Sequence, residues 1–268
     1  MEHRFKVIKS FSNPLFKELK KLSDPKKRKK LKKFLLEGFS FLKDAIENKT
    51  LYPLECVIIR EDLLQEEKTK SLLESIDKNK IKCVVFLEEL YNSLSSLKTP
   101  QGVMGVFKEK SFNLPDIELT SFVVILDEIR DPSNVGAIIR SAVAFGASAV
   151  FFSKATADPF SEKVLRASAG SLLFIPVVKV ENPNELTDFL KNKGFKLVAT
   201  SLQTETYTTD VKLPNKSAII LGNEASGIAW FWMQKADLIV KIPLSGKVQS
   251  LNVAVAAGII FYLVANCS

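Results

Sequence analysis

Six short apolar runs alternating with helix-patterned stretches dominate the second half of this 268-residue chain and constrain its fold more than any other feature. They are Phe122–Leu126, Ala149–Phe152, Ile175–Val178, Lys196–Thr200, Ala218–Leu221 and Leu238–Ile242. A strand that is apolar at successive residues has to be covered on both faces. Helices between the runs supply that cover, so the pattern predicts an α/β fold with a mostly parallel sheet. A last helix is expected from about Leu251. Its apolar stretch, Val253 to Ala265, falls short of the roughly 20 residues that span a bilayer and reads as a buried core helix.

The first hundred residues follow a looser pattern. Asn13-Pro14 opens a helix with Leu15, Phe16, Leu19 and Leu22 on one face. Asp24-Pro25 then restarts the chain into Lys26-Lys27-Arg28-Lys29-Lys30-Leu31-Lys32-Lys33. Apolar runs at Phe34–Leu36, Cys56–Ile59 and Val84–Leu87 are separated by polar helical stretches, and Gln101–Phe107 reads as a last strand. This organisation predicts a small α/β domain over 1–108, a linker with Pro115 over 109–120, and a larger α/β domain over 121–268. Residues 1–110 hold 24 Lys+Arg against 16 Asp+Glu, whereas residues 111–268 hold 14 of each. The whole net charge of +8 therefore sits in the N-terminal part. A basic domain beside a neutral one points to an acidic polymer as partner of the first.

The residue inventory removes several chemistries. His3 is the only histidine, so a Ser-His-Asp triad, a Cys-His pair and the usual His-containing metal sites are nearly ruled out. Cys56, Cys83 and Cys267 are odd in number, fit no zinc spacing and suggest no disulfide framework; they read as idle thiols. The N-terminus, with Lys6, Lys9 and Asn13 among few apolar residues, lacks a signal-peptide pattern. A cytoplasmic protein is expected, with neither membrane nor metal among its partners.

Three segments place glycines and small polar residues at the ends of strand-like runs, where α/β sheets bind ligands. In the first, Leu126 to Arg140, Asp131 and Pro132 form a good helix start. Asn134 falls in the first turn, Gly136 permits close approach of another backbone, and Arg140 beside Ile138, Ile139 and Ala142 needs an anionic partner. The second is Gly222-Asn223-Glu224-Ala225-Ser226-Gly227. No Lys-Ser/Thr follows it, so it is not a P-loop; its glycines would expose backbone groups, and Glu224 offers a carboxylate. In the third, Pro243 and Gly246 make a loop, then Ser250 and Asn252 start a helix, and Ile242, Leu244 and Leu251 can wall a slot for an adenine ring. Taken singly, a capped helix, a structural glycine turn and a solvated basic face explain these features.

In their order and spacing the three segments resemble the signature motifs of the SpoU family of RNA ribose 2′-O-methyltransferases, within the SPOUT superfamily. The resemblance implies a C-terminal trefoil-knotted α/β methyltransferase domain preceded by a small substrate-binding domain that resembles ribosomal proteins. It implies S-adenosyl-L-methionine as cofactor, held in bent form by Gly222, Gly227, Ile242, Leu244 and Leu251, with Thr200, Ser201 and Leu202 completing the pocket. Gln249 and Ala254 stand where the family often has Glu and Ser. The implied catalytic set is Arg140, Asn134, Glu224, Ser250 and Asn252. RNA contacts are expected from Arg166 and from Lys26, Lys27, Arg28, Lys29 and Lys30, and a homodimer with sites near its interface is expected.

The expected reaction is in-line methyl transfer to a ribose 2′-hydroxyl in structured RNA, without a metal. The fused domain favours large-subunit ribosomal RNA. An arginine with a pKa above about 12 is a poor base, so Arg140 is assigned to stabilising the forming alkoxide. Glu224 or water is left to accept the proton. Asn134 and Ser250 would position groups, and Asn252 would hold the loop. Three alternatives stay open at this point: a tRNA ribose methyltransferase, a non-catalytic RNA-binding protein with a vestigial cofactor pocket, and a generic nucleotide-binding α/β enzyme.

Overall fold

A computed structural model of the chain describes residues 5–266, so His3 and Cys267 lie outside the described residues. The chain forms two compact units. The first holds the residues up to Lys110 together with 160–162, and the second holds 111–159 and the residues from Lys163.

The first unit contains β1 (Lys6–Ile8), α1 (Pro14–Lys20), α2 (Pro25–Leu31), β2 (Lys33–Glu37), α3 (Phe39–Glu47), β3 (Leu54–Arg60), α4 (Glu67–Lys78), β4 (Cys83–Phe86), α5 (Glu88–Leu94) and β5 (Val103–Lys108). Its sheet runs β1-β4-β3-β5-β2, with β5 antiparallel to β2 and β3. The two helix starts form as their sequence signals predict. Asn13 accepts from the Leu15 amide, and Asp24 accepts from the amides of Lys26 and Lys27. Strand β1 carries no usable periodicity, because only Ile8 of its three residues is buried. One face of the sheet, through Ile58, Phe86, Met104 and Val106, packs with Phe16, Leu19 and Leu22 and with Leu90 of α5. Strand alternation turns Gly105 to the other face, where a Cβ would stand 2.6 Å from Leu42 of α3. Burial pushes the Cys56 thiol up to about 11 and the Cys83 thiol up to about 12, which keeps both in the unreactive protonated form.

The second unit contains β6 (Val123–Asp127), α6 (Pro132–Ala144), β7 (Ala149–Phe152), all but the first residue of α7 (Glu162–Ala167), β8 (Val177–Lys179), α8 (Pro183–Asn192), β9 (Lys196–Thr200), β10 (Ser217–Gly222), α9 (Trp230–Lys235), β11 (Leu238–Val240) and α10 (Val253–Asn266). All strand pairs in its sheet are parallel, in the order β11-β9-β10-β6-β7-β8. Each apolar run seen in the sequence contributes a strand. The last ends at Val240 rather than Ile242, and the Lys241 amide instead bonds the Thr206 carbonyl. The segment 109–120 is divided: Ser111 onward belongs to the second unit, and Ile117 is buried in its core.

The terminal helix departs from expectation. Ala257, Ile260, Phe261 and Val264 are buried, but Val255, Ile259 and Tyr262 are exposed. Helix α10 packs one stripe on α6 and β10 and leaves a second apolar stripe, at i, i+4 and i+7, uncovered. Uniform hydrophobicity hides this distinction, since no polar face marks the solvent side. Among the described residues no helix is long and apolar enough to cross a membrane, and no cluster of three or more His, Cys, Asp or Glu side chains could hold a metal.

Candidate active site

Parallel strands open their carboxyl ends on one edge of the sheet. Register aligns Gly222 of β10 with Asp127 of β6, Ile220 with Ala199 of β9, and Val240 of β11 with Thr200. The loops after β6, β9, β10 and β11 therefore leave from the same edge, on four adjacent strands. All three sequence motifs and the segment Thr200–Leu202 meet there.

The meeting is a chain of side-chain hydrogen bonds. The Asn252 Oδ1 accepts from the amides of Ala254 at 2.9 Å and Val255 at 3.3 Å, which makes it the N-cap of α10. Its Nδ2 donates to Asn134 Oδ1 at 2.9 Å, and Asn134 Nδ2 donates to Glu224 Oε1 at 2.6 Å. Backbone amides only donate and a carboxylate only accepts, so both asparagine orientations are fixed from the two ends. Asn134 is 9 % exposed at the start of α6. Asp131 accepts from Ser133 at 2.7 Å to set that helix end. Gly136 lets α6 approach α7, because a Cβ there would lie 2.4 Å from Ala167 and 2.7 Å from the Val164 carbonyl.

The loop carrying Glu224 is closed on itself. Asn223 and Gly227 exchange two backbone hydrogen bonds, each 2.9 Å. Asn223 Oδ1 accepts from the amides of Ala225 and Ser226, while its Nδ2 donates to the Glu128 carbonyl. Gly227 has φ +73°, which favours glycine. Gly222 meets a steric demand of the loop itself. Its Cβ position lies 2.4 Å from Gly227 C and Ile228 N, so the missing side chain makes room for the loop's own return.

Sequence reading missed Asp127, which anchors that return. It is 4 % exposed and accepts from the Ala229 amide at 2.8 Å. Burial raises its carboxyl above the usual range, and Glu128 adds to this, against the opposing bond from Ala229. The available signal was a carboxylate ending the wholly apolar strand Val123–Leu126.

The remaining residues divide. Ile242, Leu244 and Leu251 are half-buried around the β11 loop. Thr200 donates to the Ile220 carbonyl at 3.0 Å, and the Ser201 amide donates to the Val240 carbonyl at 3.0 Å, which tie β9 to its two neighbours. Leu202 and Ser250 are exposed. Arg140 corrects an expectation. Ile138 and Ile139 are buried, but Arg140 is exposed and makes no ion pair among the described residues. Its sequence neighbours are not its spatial ones, because each helical step turns about 100°. It does not join the Asn134–Glu224 chain. Arg166 is likewise exposed on α7. Arg28 overturns an expected RNA contact: it is 5 % exposed, while Lys26, Lys27, Lys29 and Lys30 of the same helix are exposed. The run is helical, so its five consecutive cations cannot all share one face.

Residues 121–262 match the SpoU rRNA Methylase family, and residues 13–105 match the MRM3-like substrate binding domain. The chain belongs to the SpoU rRNA methylase family. It is 34% identical over 260 residues to the 23S rRNA (guanosine(2553)-2′-O)-methyltransferase RlmP of Bacillus subtilis, covering 96% of this chain and 98% of that protein. It is 33% identical to the 23S rRNA (guanosine-2′-O-)-methyltransferase RlmB of Coxiella burnetii, over 74% of this chain and 82% of that one. Among solved structures, an rRNA methyltransferase from Sinorhizobium meliloti superposes with a TM-score of 0.83 at 27% identity, covering 97% of both chains. The AviRb methyltransferase of Streptomyces viridochromogenes, in complex with AdoMet, superposes with a TM-score of 0.81 at 27% identity, over 94% of this chain and 98% of that one. These two matches with solved structures each span nearly the whole chain, so the shared fold extends over both units.

Proposed function

We propose that this chain transfers a methyl group from S-adenosylmethionine to a ribose 2′-hydroxyl of large-subunit ribosomal RNA. The observation that carries this reading is the chain Asn252–Asn134–Glu224, which takes one side chain from each of the three motifs. Similarity over nearly the full length to a 23S rRNA 2′-O-methyltransferase supports the choice of ribosomal over transfer RNA.

The loops fit the cofactor. Half-buried Ile242, Leu244 and Leu251 offer an apolar wall for the adenine, with Thr200–Leu202, Gly222 and Gly227 around it. When bound, S-adenosylmethionine supplies a methyl group already activated for displacement. The protein's own task is to place the hydroxyl and take its proton. Glu224 is the proton acceptor, since among the described residues only its Oε1 is engaged. Asn134 aims that carboxylate, Asn252 fixes Asn134, and Ser250 stands at the loop rim. Arg140, exposed and without an ion pair among the described residues, stabilises the developing alkoxide, directly or through an RNA phosphate. Arg166 and the lysines of α2 hold RNA.

Two coarser features complete the proposal. The exposed stripe Val255, Ile259 and Tyr262 forms a homodimer contact, which would cover apolar surface that a monomer leaves in water. The chain threads as the trefoil knot of its superfamily: after β11 at one edge of the sheet, it returns to place α10 on β10 and α6. The enzyme works in the cytoplasm, where its RNA substrate is assembled.

The decisive experiment pairs calorimetric titration of S-adenosylmethionine with mapping of 2′-O-methyl marks in a deletion strain. Saturable binding and loss of a mark in 23S RNA are expected. A protein that binds no cofactor would carry a vestigial pocket, and a mark lost from tRNA alone would move the substrate assignment.

A further inference from the structure

The net charge of the first unit is more concentrated than its total suggests. Residues 1–33 hold thirteen Lys+Arg and three Asp+Glu, whereas residues 34–110 hold eleven and thirteen. All of the excess is therefore in β1, α1 and α2 and the turns between them. The two acids there among the described residues are already engaged. Glu18 accepts from Lys33 at 2.7 Å, and Asp24 caps α2. Lys17 and Lys21 are exposed and keep clear of both acids.

The corner between α1 and α2 is also shaped. An open groove of about 350 Å³ is lined by Phe16, Lys17, Lys20, Lys21, Ser23, Asp24 and Lys27. Lys17 and Lys21 are exposed, stand on one helical face at i and i+4, and make no ion pair among the described residues. Lys20 is tied to the Ser93 carbonyl, and Lys27 sits 3.8 Å from Asp24 in a solvated pair. Beside the groove, Phe11 is 52 % exposed, and its ring stands edge-on to Phe16 with centroids 5.2 Å apart at 89°. An aromatic ring braced on the core and left open to water, next to cations, is the arrangement that holds a nucleobase and its phosphates. A duplex hides its bases within the stack and offers this ring nothing to cover.

We propose that this groove binds a single-stranded segment of RNA, with Lys17, Lys21 and Lys27 on successive phosphates and a base stacked on Phe11. The inference rests on the reading of the chain as an RNA-modifying enzyme, and it assigns the substrate's single-stranded part to one face of the first unit. The opposite face of the sheet, under α3 and α4, supplies a matched control. Lys49, Lys70 and Lys78 are exposed there or next to it, and removing them changes the unit's charge equally.

The test uses the full chain and fluorescein-labelled 12-nucleotide RNA, single-stranded or annealed to its complement, followed by anisotropy across a salt series. The parent should prefer the single strand. The triple variant Lys17→Ala/Lys21→Ala/Lys27→Ala should lose affinity on the order of tenfold at 0.1 M salt, with a logarithmic salt slope shallower by about 2. Phe11→Ala should cost about tenfold for the single strand and leave the slope unchanged. The triple variant Lys49→Ala/Lys70→Ala/Lys78→Ala should bind like the parent. Equal losses in the two lysine variants would reduce the groove to diffuse charge. A silent Phe11→Ala, or a preference for duplex, would overturn the single-strand assignment. RNA affinity unmoved by every variant would leave the groove to an acidic protein partner and end the proposal. Circular dichroism checks each fold. Titration of S-adenosylmethionine into the parent separates the two readings, because a parent that binds RNA as expected but no cofactor contradicts the enzyme reading alone.

Discussion

In the first unit the residues of interest are contiguous: Lys26, Lys27, Lys29 and Lys30 leave one seven-residue helix, capped by Asp24 immediately before it. In the second unit the bonded side chains come from far apart. Asn134 reaches Glu224 across 90 positions and Asn252 across 118. A charge run keeps its electrostatic character through small structural shifts, because attraction to a polyanion is long-ranged. A hydrogen-bond chain does not, since a bond lengthened beyond about 3.5 Å is lost. The two regions should therefore respond to substitution in different currencies, the first in affinity and salt dependence, the second in turnover.

Glu224→Gln is the most severe test of that separation. Loss of a positioned general base should lower single-turnover methyl transfer by on the order of 1000-fold. Cofactor affinity and the salt slope of RNA binding should stay at parent values. A changed salt slope would mean that the two regions do not act separately.

Arg140→Ala should follow with a loss on the order of 100-fold in single-turnover transfer, the range for one preorganised charge-stabilising donor. Fold by circular dichroism and cofactor affinity by calorimetry should be unchanged, because the exposed side chain supports no packing. Lys at this position should rescue only in part, since an ammonium cannot copy the planar fork. Full activity in Arg140→Ala would remove this residue from the mechanism and leave the Asn252–Asn134–Glu224 chain to carry it.

Gly222→Val places a branched side chain where a Cβ already stands 2.4 Å from backbone atoms of Gly227 and Ile228. Overpacking of this kind costs roughly 1–3 kcal/mol and should displace the loop. Cofactor affinity should fall by tens of fold and the thermal midpoint should drop, while anisotropy with RNA stays as in the parent. Undiminished cofactor binding would place the pocket elsewhere.

The smallest effect is a pH dependence at Asp127. Its folded carboxyl titrates above the unfolded value of about 3.9, so the folded state binds the extra proton between the two. Stability from this group is greatest below the unfolded pKa and is lost as pH rises through the folded one. Asp127→Asn has no such term. Denaturant melts should therefore show the variant gaining on the parent as pH rises from about 4. A constant gap would mean that Asp127 titrates normally.

The sequence by itself determined the strand runs, the helix starts and the content of the motifs. These are local: Asn13, Asp24 and Asp131 cap their helices with bonds to amides two or three residues on. The similarity of the three motifs to those of the SpoU family could also be read without coordinates, because it depends on residue type and order. Only the tertiary structure decided which face each side chain shows. It turned Arg28 inward and Arg140 outward, left Val255, Ile259 and Tyr262 uncovered on an apolar helix, and set the return of the loop against Gly222. It also made Asp127 the anchor of that loop, through a bond to Ala229 across 102 positions. The reason is register. Which residue lies opposite Asp127 follows from how β10 pairs with β6, and that pairing is settled by packing over the whole sheet rather than by any neighbouring residue.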